Sequence, residues 1–316
     1  VTATVSIIIC TRSRAEHLHQ TLGAIASICL PRGLKAELIV VDNASTDNTV
    51  QVVMQCGLTN MHMRYLYEPR HGQCNARNLG LQAAQGEMIV FTDDDVRPSL
   101  HWLEKLCAPL LCGDAQAVAG GITIAQHLNR PNSPAGHWIR LASTEATDPF
   151  RPDLIGANMA FCRSVLHQVP HFDTELGPGA LGFGDDTLFG WQLCIAGFQI
   201  VFAPEATTEH HFEASRLTRR SLVAMAQKQG RSAAYLAYHW RHEDEAKAPL
   251  FLIKRSVRLT CLQVLRRQET RRCSEAPGWE LNILRDIAYY RQFMIERKRP
   301  RNYEKYGLLK TGQSSN

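Results

Sequence analysis

The sequence predicts an α/β protein: a doubly wound, mostly parallel sheet with flanking helices, followed by a C-terminal helical extension. Four observations carry this expectation. Five short apolar runs alternate with amphipathic stretches over the first 120 residues. Several of those runs are continuous rather than alternating in polarity, as strands covered on both faces are. Polar clusters stand directly after three of the runs, where open sheets bind their ligands, and residues 215–300 read instead as successive helices.

The strand-like runs are Val5–Cys10, Glu37–Val41, Met63–Tyr67, Glu87–Phe91 and Gln116–Gly120, with helical stretches at about 15–29, 47–56, 73–85 and 100–112. Such alternation implies right-handed crossovers between parallel neighbours. The segment 127–153 holds Pro131, Pro134, Pro149 and Pro152, shows little periodicity and reads as a long irregular insertion. Strand-like Ile155–Phe161 follows, then a glycine-rich passage from Gly177 to Gly184 and a helix from Asp186 to Ala196. A second strand-like stretch after Ala203-Pro204 closes on Glu209-His210-His211-Phe212. Three helices are placed near 217–241, 249–268 and 279–298, with Pro249 and Pro277 at the starts of two of them.

A chain of 316 residues with 45% hydrophobic content can bury one large core or two modest ones. A charged fraction of 21% and a mean hydropathy of −0.21 describe a soluble globular protein. No stretch approaches the ~18–20 apolar residues that cross a bilayer. The start, Val1-Thr2-Ala3-Thr4, lacks the basic and apolar regions of a signal peptide, so a cytoplasmic protein is expected. Ten cysteines form no CxxC pair and read as small buried hydrophobes in a reducing compartment. Charge is unevenly placed. Residues 249–316 hold 15 Lys/Arg against 6 Asp/Glu, whereas residues 1–248 hold 20 against 24.

The most informative stretch is Thr92-Asp93-Asp94-Asp95-Val96, three carboxylates directly after an apolar run. Crowded carboxylates at a sheet edge need an offsetting charge. A hard divalent cation held by one or two of them usually also holds a phosphate, so the triplet suggests a metal–diphosphate site. The first strand ends in Thr11-Arg12-Ser13-Arg14 and the second in Asp42-Asn43-Ala44-Ser45-Thr46-Asp47. Neither is followed by GxGxxG or GxxxxGK[ST], so the phosphate-cradling glycines of a dinucleotide site or P-loop are missing. Asp42 can accept hydrogen bonds from a base or ribose while arginines meet phosphates. Asp47 reads as a helix cap.

Arg77 and Asn78 open an amphipathic helix near the same edge, and Arg77 reads as a base or diphosphate contact, or as a solubilising surface residue. Asp185 and Asp186, after Gly182-Phe183-Gly184, are either helix caps favoured by the dipole or the site of a general base. His210 and His211 are either ordinary polar residues or a source of a third ligand to Mg2+ or Mn2+.

The order of these pieces resembles the family-2 inverting glycosyltransferases of GT-A fold. The resemblance rests on Val5–Arg12, Ile39–Asp47, Ala76-Arg77-Asn78-x-Gly80, Gly86–Asp95 and Gly184-Asp185-Asp186, and it covers about residues 5–235. It implies a catalytic domain over 1–215, with a nucleotide-binding half at about 1–120 and an acceptor-binding half at about 121–215, and a basic helical region over 216–316. It implies that Thr11, Arg12 and Arg14 line the nucleotide pocket, that Asp42 binds the base, and that Arg77 and Asp94 belong to the nucleotide contacts. Asp93 and Asp95 match the family's DxD on ribose and metal-bound diphosphate, with His210 close to the metal. Asp185-Asp186 match a Glu-Asp pair whose second member is the base; the first is Asp here. Asn158, Gly184, His211 and Arg216 fall to the donor sugar or acceptor. The implied reaction moves a sugar from a nucleotide-diphosphate sugar, UDP-sugars favoured, to a saccharide or lipid-linked hydroxyl, with inversion and with Mg2+ or Mn2+.

Two rivals share the expected sheet. A sugar-nucleotide nucleotidyltransferase would carry a glycine-rich basic loop after Cys10, which is missing. A non-catalytic binding module would have no use for both acidic sites. Single-strand nucleic-acid binding lacks interleaved aromatics in the basic tail. In that tail Leu250, Ile253, Val257, Cys261 and Val264 form one helical stripe, with Lys254, Arg255, Arg258, Arg266 and Arg267 largely elsewhere. The stripe reads either as the packed side of an ordinary helix or as an interfacial helix placing residues 249–272 on an anionic membrane.

Overall fold

The structure, a computed structural model, describes residues 3–144, 153–272 and 275–312. Val1, Thr2, Pro149 and Pro152, named above, and Cys273, one of the ten cysteines, lie outside the described residues.

Eight strands form one sheet in the order β3-β2-β1-β4-β7-β6-β8-β5. They are β1 Ala3–Thr11, β2 Leu34–Asp42, β3 His62–Tyr67, β4 Met88–Asp93, β5 Val96–Pro98, β6 Ala117–Ile124, β7 Asn158–Cys162 and β8 Ile200–His210. Strands β3, β2, β1 and β4 are parallel, β7 runs antiparallel to both β4 and β6, and β5 is antiparallel to β8. The sheet is therefore mixed beyond β4.

The helices are α1 Ala15–Ala26, α2 Thr49–Gln55, α3 Gln73–Ala83, α4 Trp102–Leu111, α5 His137–Ser143, α6 Asp185–Ile195, α7 Arg219–Tyr235, α8 Ala248–Leu265, α9 Arg267–Arg272 and α10 Gly278–Glu296. The seven-residue α5 lies inside the segment read from sequence as irregular.

Alternation along β1 explains its unbroken apolar run. Ile7 and Ile9 pack into one core with Leu18, Leu22, Trp102 and Leu106. Ile8 and Cys10 enter a second core on the other face, with Ile39, Phe91, Phe161 and Phe189. Register then sets the site, because Thr11 pairs with Asp42 and Cys10 with Asp93. The residues ending β1, β2 and β4 thus share one edge. Cys10, Cys74 and Cys107 are buried as expected, whereas Cys29, Cys112, Cys194 and Cys261 are exposed.

The C-terminal helices pack back on the sheet domain. Helix α7 runs on into a π-helical turn at Leu236–Trp240, and its Ser232 hydroxyl accepts the Phe183 N–H at 3.1 Å. Helix α8 is tied to α10 by Phe251 stacked on Tyr290, Arg255 on Asp286 at 3.1 Å, and Gln263 on Glu280 at 2.9 Å. The segment after α10 closes on Asp173. Its carboxylate accepts from Tyr235 and Tyr303, each at 2.7 Å, and pairs with Lys310 at 2.6 Å.

Candidate active site

A cavity of about 450 Å³ opens at the shared strand edge. Its walls include Thr11, Arg12 and Arg14 after β1, Asn43 after β2, and Asp93, Asp94 and Asp95 after β4. Gln73 opens α3 and Pro178-Gly179 come from the glycine-rich passage, while Glu213, Ser215 and Arg216 follow β8. Two non-glycine residues of its rim, Ser13 (φ 50°) and Ala44 (φ 57°), sit in the left-handed region. The rim is pinned by the Ser13 N–H donating to Ser45 Oγ at 2.8 Å. Asp47 behaves as a cap, accepting the backbone N–H groups of Ala15 at 3.0 Å and Thr49 at 3.1 Å.

The three carboxylates of the triplet have different surroundings. Asp94 is buried and accepts from Thr11 Oγ1 and Arg14 Nη1, both at 2.7 Å. Burial pushes its pKa up to about 7 against the opposing Arg14 charge. Asp95 Oδ2 receives Arg14 Nη2 at 2.6 Å and stands 3.2 Å from His210 Nε2 and 3.7 Å from Arg216 Nη1. Burial alone would raise Asp95, but the His210 hydrogen bond and the His210, Arg14 and Arg216 charges outweigh it and hold the carboxyl below the usual range. Asp93 is half-buried and accepts from Gln73 Nε2 at 3.4 Å. Burial and the Asp95 charge push it upward.

Asp95 Oδ1 is buried and, among the described residues, accepts no hydrogen bond. An ionised, orphaned oxygen of this kind fits a hard cation. Among the described residues no three His, Cys, Asp or Glu side chains converge as a metal cage. Asp95 Oδ1 is therefore the atom that suits a Mg2+ or Mn2+ ion, whose remaining ligands would be largely phosphate oxygens or water.

The second acidic pair opens α6. Asp185 is buried and bonded to Arg77 Nη1, which is itself buried and stacked over Phe91 (5.8 Å) and Phe172 (5.4 Å). Burial opposes the Arg77 charge, and the carboxylates of Asp185, Asp186 and Asp93 keep its pKa raised. Gly156 permits this, since a Cβ there would collide with the Arg77 guanidinium. Asp186 is half-buried and accepts the backbone N–H groups of Gly156 at 3.1 Å and Thr187 at 2.8 Å. Burial and the neighbouring Asp185 charge push its pKa up.

The structure gathers Thr11, Arg12, Arg14, Asp93, Asp94, Asp95 and Arg216 around one cavity, with His210 against Asp95. It places others differently from the sequence reading. Arg77 does not line the cavity, because it is the buried counterion of Asp185. The Asn158 amide is fully buried, accepting from Trp102 Nε1 at 2.8 Å and donating to the carbonyls of Gly121 and Ala206 at 2.9 and 2.7 Å, so it holds strands together. Asp42 is buried beneath the rim, accepting from Tyr65 Oη and the Ser45 N–H, both at 2.8 Å. His211 lies 3.1 Å from Glu209, and its N–H donates to the Asp95 carbonyl at 2.7 Å. Gly184, at φ 86°, starts α6.

Sequence reasoning missed Asn43, Gln73 and the Pro178-Gly179 wall. Asn43 is buried and organises the rim, donating to the Glu68 and Arg70 carbonyls and accepting the Gly72 N–H. The Gln73 N–H donates to the Pro178 carbonyl at 2.8 Å, which brings the glycine passage to the cavity. The glycine richness was the one signal available.

A mixed sheet with flanking helices, carrying an acid cluster and arginines at its strand edge, fits the glycosyltransferase class. Residues 6–169 match the model of Glycosyl transferase family 2, and the chain belongs to that family. It is 31% identical over 119 residues to the glycosyltransferase AglE of Haloferax volcanii, a match covering 37% of this chain and 39% of AglE. It is 28% identical over 237 residues to the succinoglycan biosynthesis protein ExoM of Rhizobium meliloti, covering 72% of each. Among solved structures, the mannosyltransferase PcManGT from Pyrobaculum calidifontis, in complex with GDP-Man and Mn2+, superposes with a TM-score of 0.62 at 20% identity, over 93% of this chain and 87% of that one. This likeness is one of fold.

Proposed function

We propose that this glycosyltransferase moves a sugar from a nucleoside-diphosphate sugar, a UDP-sugar first, to the hydroxyl of a saccharide or lipid-linked acceptor. The anomeric centre is inverted and Asp186 is the base. The observation that carries this reading is the asymmetry of the α6 pair: Asp185 is bonded to Arg77, whereas Asp186, among the described residues, accepts from Gly156 and Thr187 and has a raised pKa. A carboxylate pushed toward the working pH is a better proton acceptor than an ordinary aspartate. Residues 1–120 are assigned to the nucleotide, 121–215 to the acceptor, and 216–316 to a basic helical region.

In this reading the nucleobase lies at the rim formed by Asn43 over Asp42, whose carboxylate has lone pairs left after its two bonds. Arg12, Arg14 and Arg216 meet diphosphate oxygens, charge-assisted contacts that also orient the donor. Mg2+ or Mn2+, held by Asp95 with Asp93 and His210, would neutralise charge on the leaving diphosphate. The acceptor oxygen forms its bond to the anomeric carbon as the bond to the diphosphate oxygen breaks, and that electron pair leaves with the nucleotide. The hydroxyl proton passes to Asp186. No covalent enzyme intermediate is needed.

Asp186→Asn is expected to lower transfer by about 10²–10⁴-fold, while calorimetric affinity for the donor stays within a few-fold. Equal loss of both would remove Asp186 from the base role. Thermal shift against UDP- and GDP-sugars with Mn2+ decides the nucleotide. Stabilisation by GDP-sugars alone would overturn the UDP preference and leave the base assignment standing.

A further inference from the structure

Helix α8 carries its apolar stripe on the wrong side for a packed helix. Leu250, Ile253, Val257 and Val264 are 61%, 62%, 57% and 70% exposed, and Cys261 between them is exposed too. At 100° per residue these five lie within one 80° sector. The contacts of α8 with α10, through Phe251, Arg255 and Gln263, come from the rest of the circumference. Beside the stripe stand Lys254 and Arg258, both exposed, with exposed Leu265 on the same flank. The 18 residues of α8 include no Asp or Glu.

We propose that this face of α8 lies flat on an anionic phospholipid surface, with the stripe in the acyl boundary and Lys254 and Arg258 among the headgroups. Charge complementarity selects that occupant. The face offers cations beside its apolar strip and no carboxylate, so a second copy of the same face would bring no acid to pair with them. A bilayer containing anionic lipid supplies both an apolar layer and a sheet of negative charge, and each basic side chain near it adds roughly fivefold to the partition coefficient. Among the described residues no helix is long and apolar enough to cross a membrane, so the contact is one of lying on the surface. Helix α7 then links the membrane face to the reaction site. It packs on α10, and its Ser232 holds the Phe183 N–H three residues before Asp186. The proposal does not depend on the identity of the base or the donor.

The test is flotation of the full chain with vesicles of phosphatidylcholine containing 30% phosphatidylglycerol, and with phosphatidylcholine alone. The wild type is expected to float with the anionic vesicles and at least tenfold less with the neutral ones. Lys254→Gln/Arg258→Gln should lower anionic partition at least tenfold, and Ile253→Ser/Val257→Ser/Val264→Ser should abolish it. All five side chains are solvent-facing or nearly so, and an unchanged melting temperature verifies that the variants fold. Absence of wild-type flotation, or equal flotation of wild type and variants, overturns the proposal. So does a concentration-dependent dimer, seen by light scattering, that the triple serine variant dissolves without any flotation of the wild type.

Discussion

Asp93–Asp95 and Asp185–Asp186 both crowd carboxylates into a small buried volume, yet they are balanced by different means. Arg14 bridges two members of the triplet, with His210 and Arg216 beside Asp95, and one Asp95 oxygen still has no hydrogen-bond partner among the described residues. The pair at α6 has one buried counterion, Arg77, bonded to Asp185 and lying over two phenylalanine rings. The triplet thus faces a cavity with cations at its rim, suited to receiving more charge. The pair is a closed ion pair with one carboxylate left over. A donor site should bind anions and metal; a base site needs one carboxylate that is not neutralised by a partner.

The largest effect should come from breaking the closed pair. Arg77→Met leaves Asp185 buried without its counterion, a change that costs about 3–5 kcal/mol when one partner of a buried pair is removed. Chemical denaturation measures it. Adding Asp185→Asn should recover part of the loss, because the stranded charge goes with it and methionine packs well against Phe91 and Phe172. A loss below about 1 kcal/mol for the single variant would mean that Arg77 is not what balances Asp185.

The open cluster predicts a different response. Asp95→Asn removes the ionised oxygen pair but leaves Arg14 bonded to Asp94. Nucleoside-diphosphate affinity in Mn2+ should fall roughly 10–100-fold, the range seen when a metal shell is damaged. In EDTA the variant and the parent should bind alike. Calorimetry with and without metal separates the cases. An equal loss in both would make Asp95 a direct nucleotide contact and move the cation elsewhere.

How far this contrast was legible in the sequence depends on range. The parallel strands β1, β2 and β4 were readable because burial on both faces writes itself as an unbroken apolar run, and their register then brings Thr11, Asp42 and Asp93 together. The three-residue β5 was not, being too short for any period and ending in Pro98. Neither was the antiparallel direction of β7, which has the same apolar signature as a parallel strand. Polar residues showed that chemistry was present and left open what each one touches. Arg77 and Asp185 are 108 positions apart, and no local pattern reports such a pairing. Asn158 read as a ligand contact because its amide is polar, whereas its three partners lie on α4, β6 and β8. Periodicity likewise found the α8 stripe, but a period says that a face exists and not which way it turns.

The smallest expected effect sharpens the comparison most, because it separates the two members of the α6 pair. Burial and the Asp185 charge place the Asp186 pKa above its ordinary value of 3.8. Between the ordinary and the raised value the native state holds a proton that the unfolded chain has released. Stability contributed by this group therefore falls as pH rises through that window, and the full penalty persists above it. Asp186→Asn removes the penalty, so at neutral pH the inactive variant should be at least as stable as the parent. The difference should shrink toward pH 4. With Asp186 as the proposed base, the same shift should place the acid limb of the transfer rate above that of an unperturbed aspartate, with activity lost as pH falls through the raised value. Asp185→Asn should behave in the opposite way and destabilise the fold by weakening the Arg77 pair. If thermal melts across pH rank the two variants the other way round, Asp185 is the unpaired carboxylate, and the role of base passes to it.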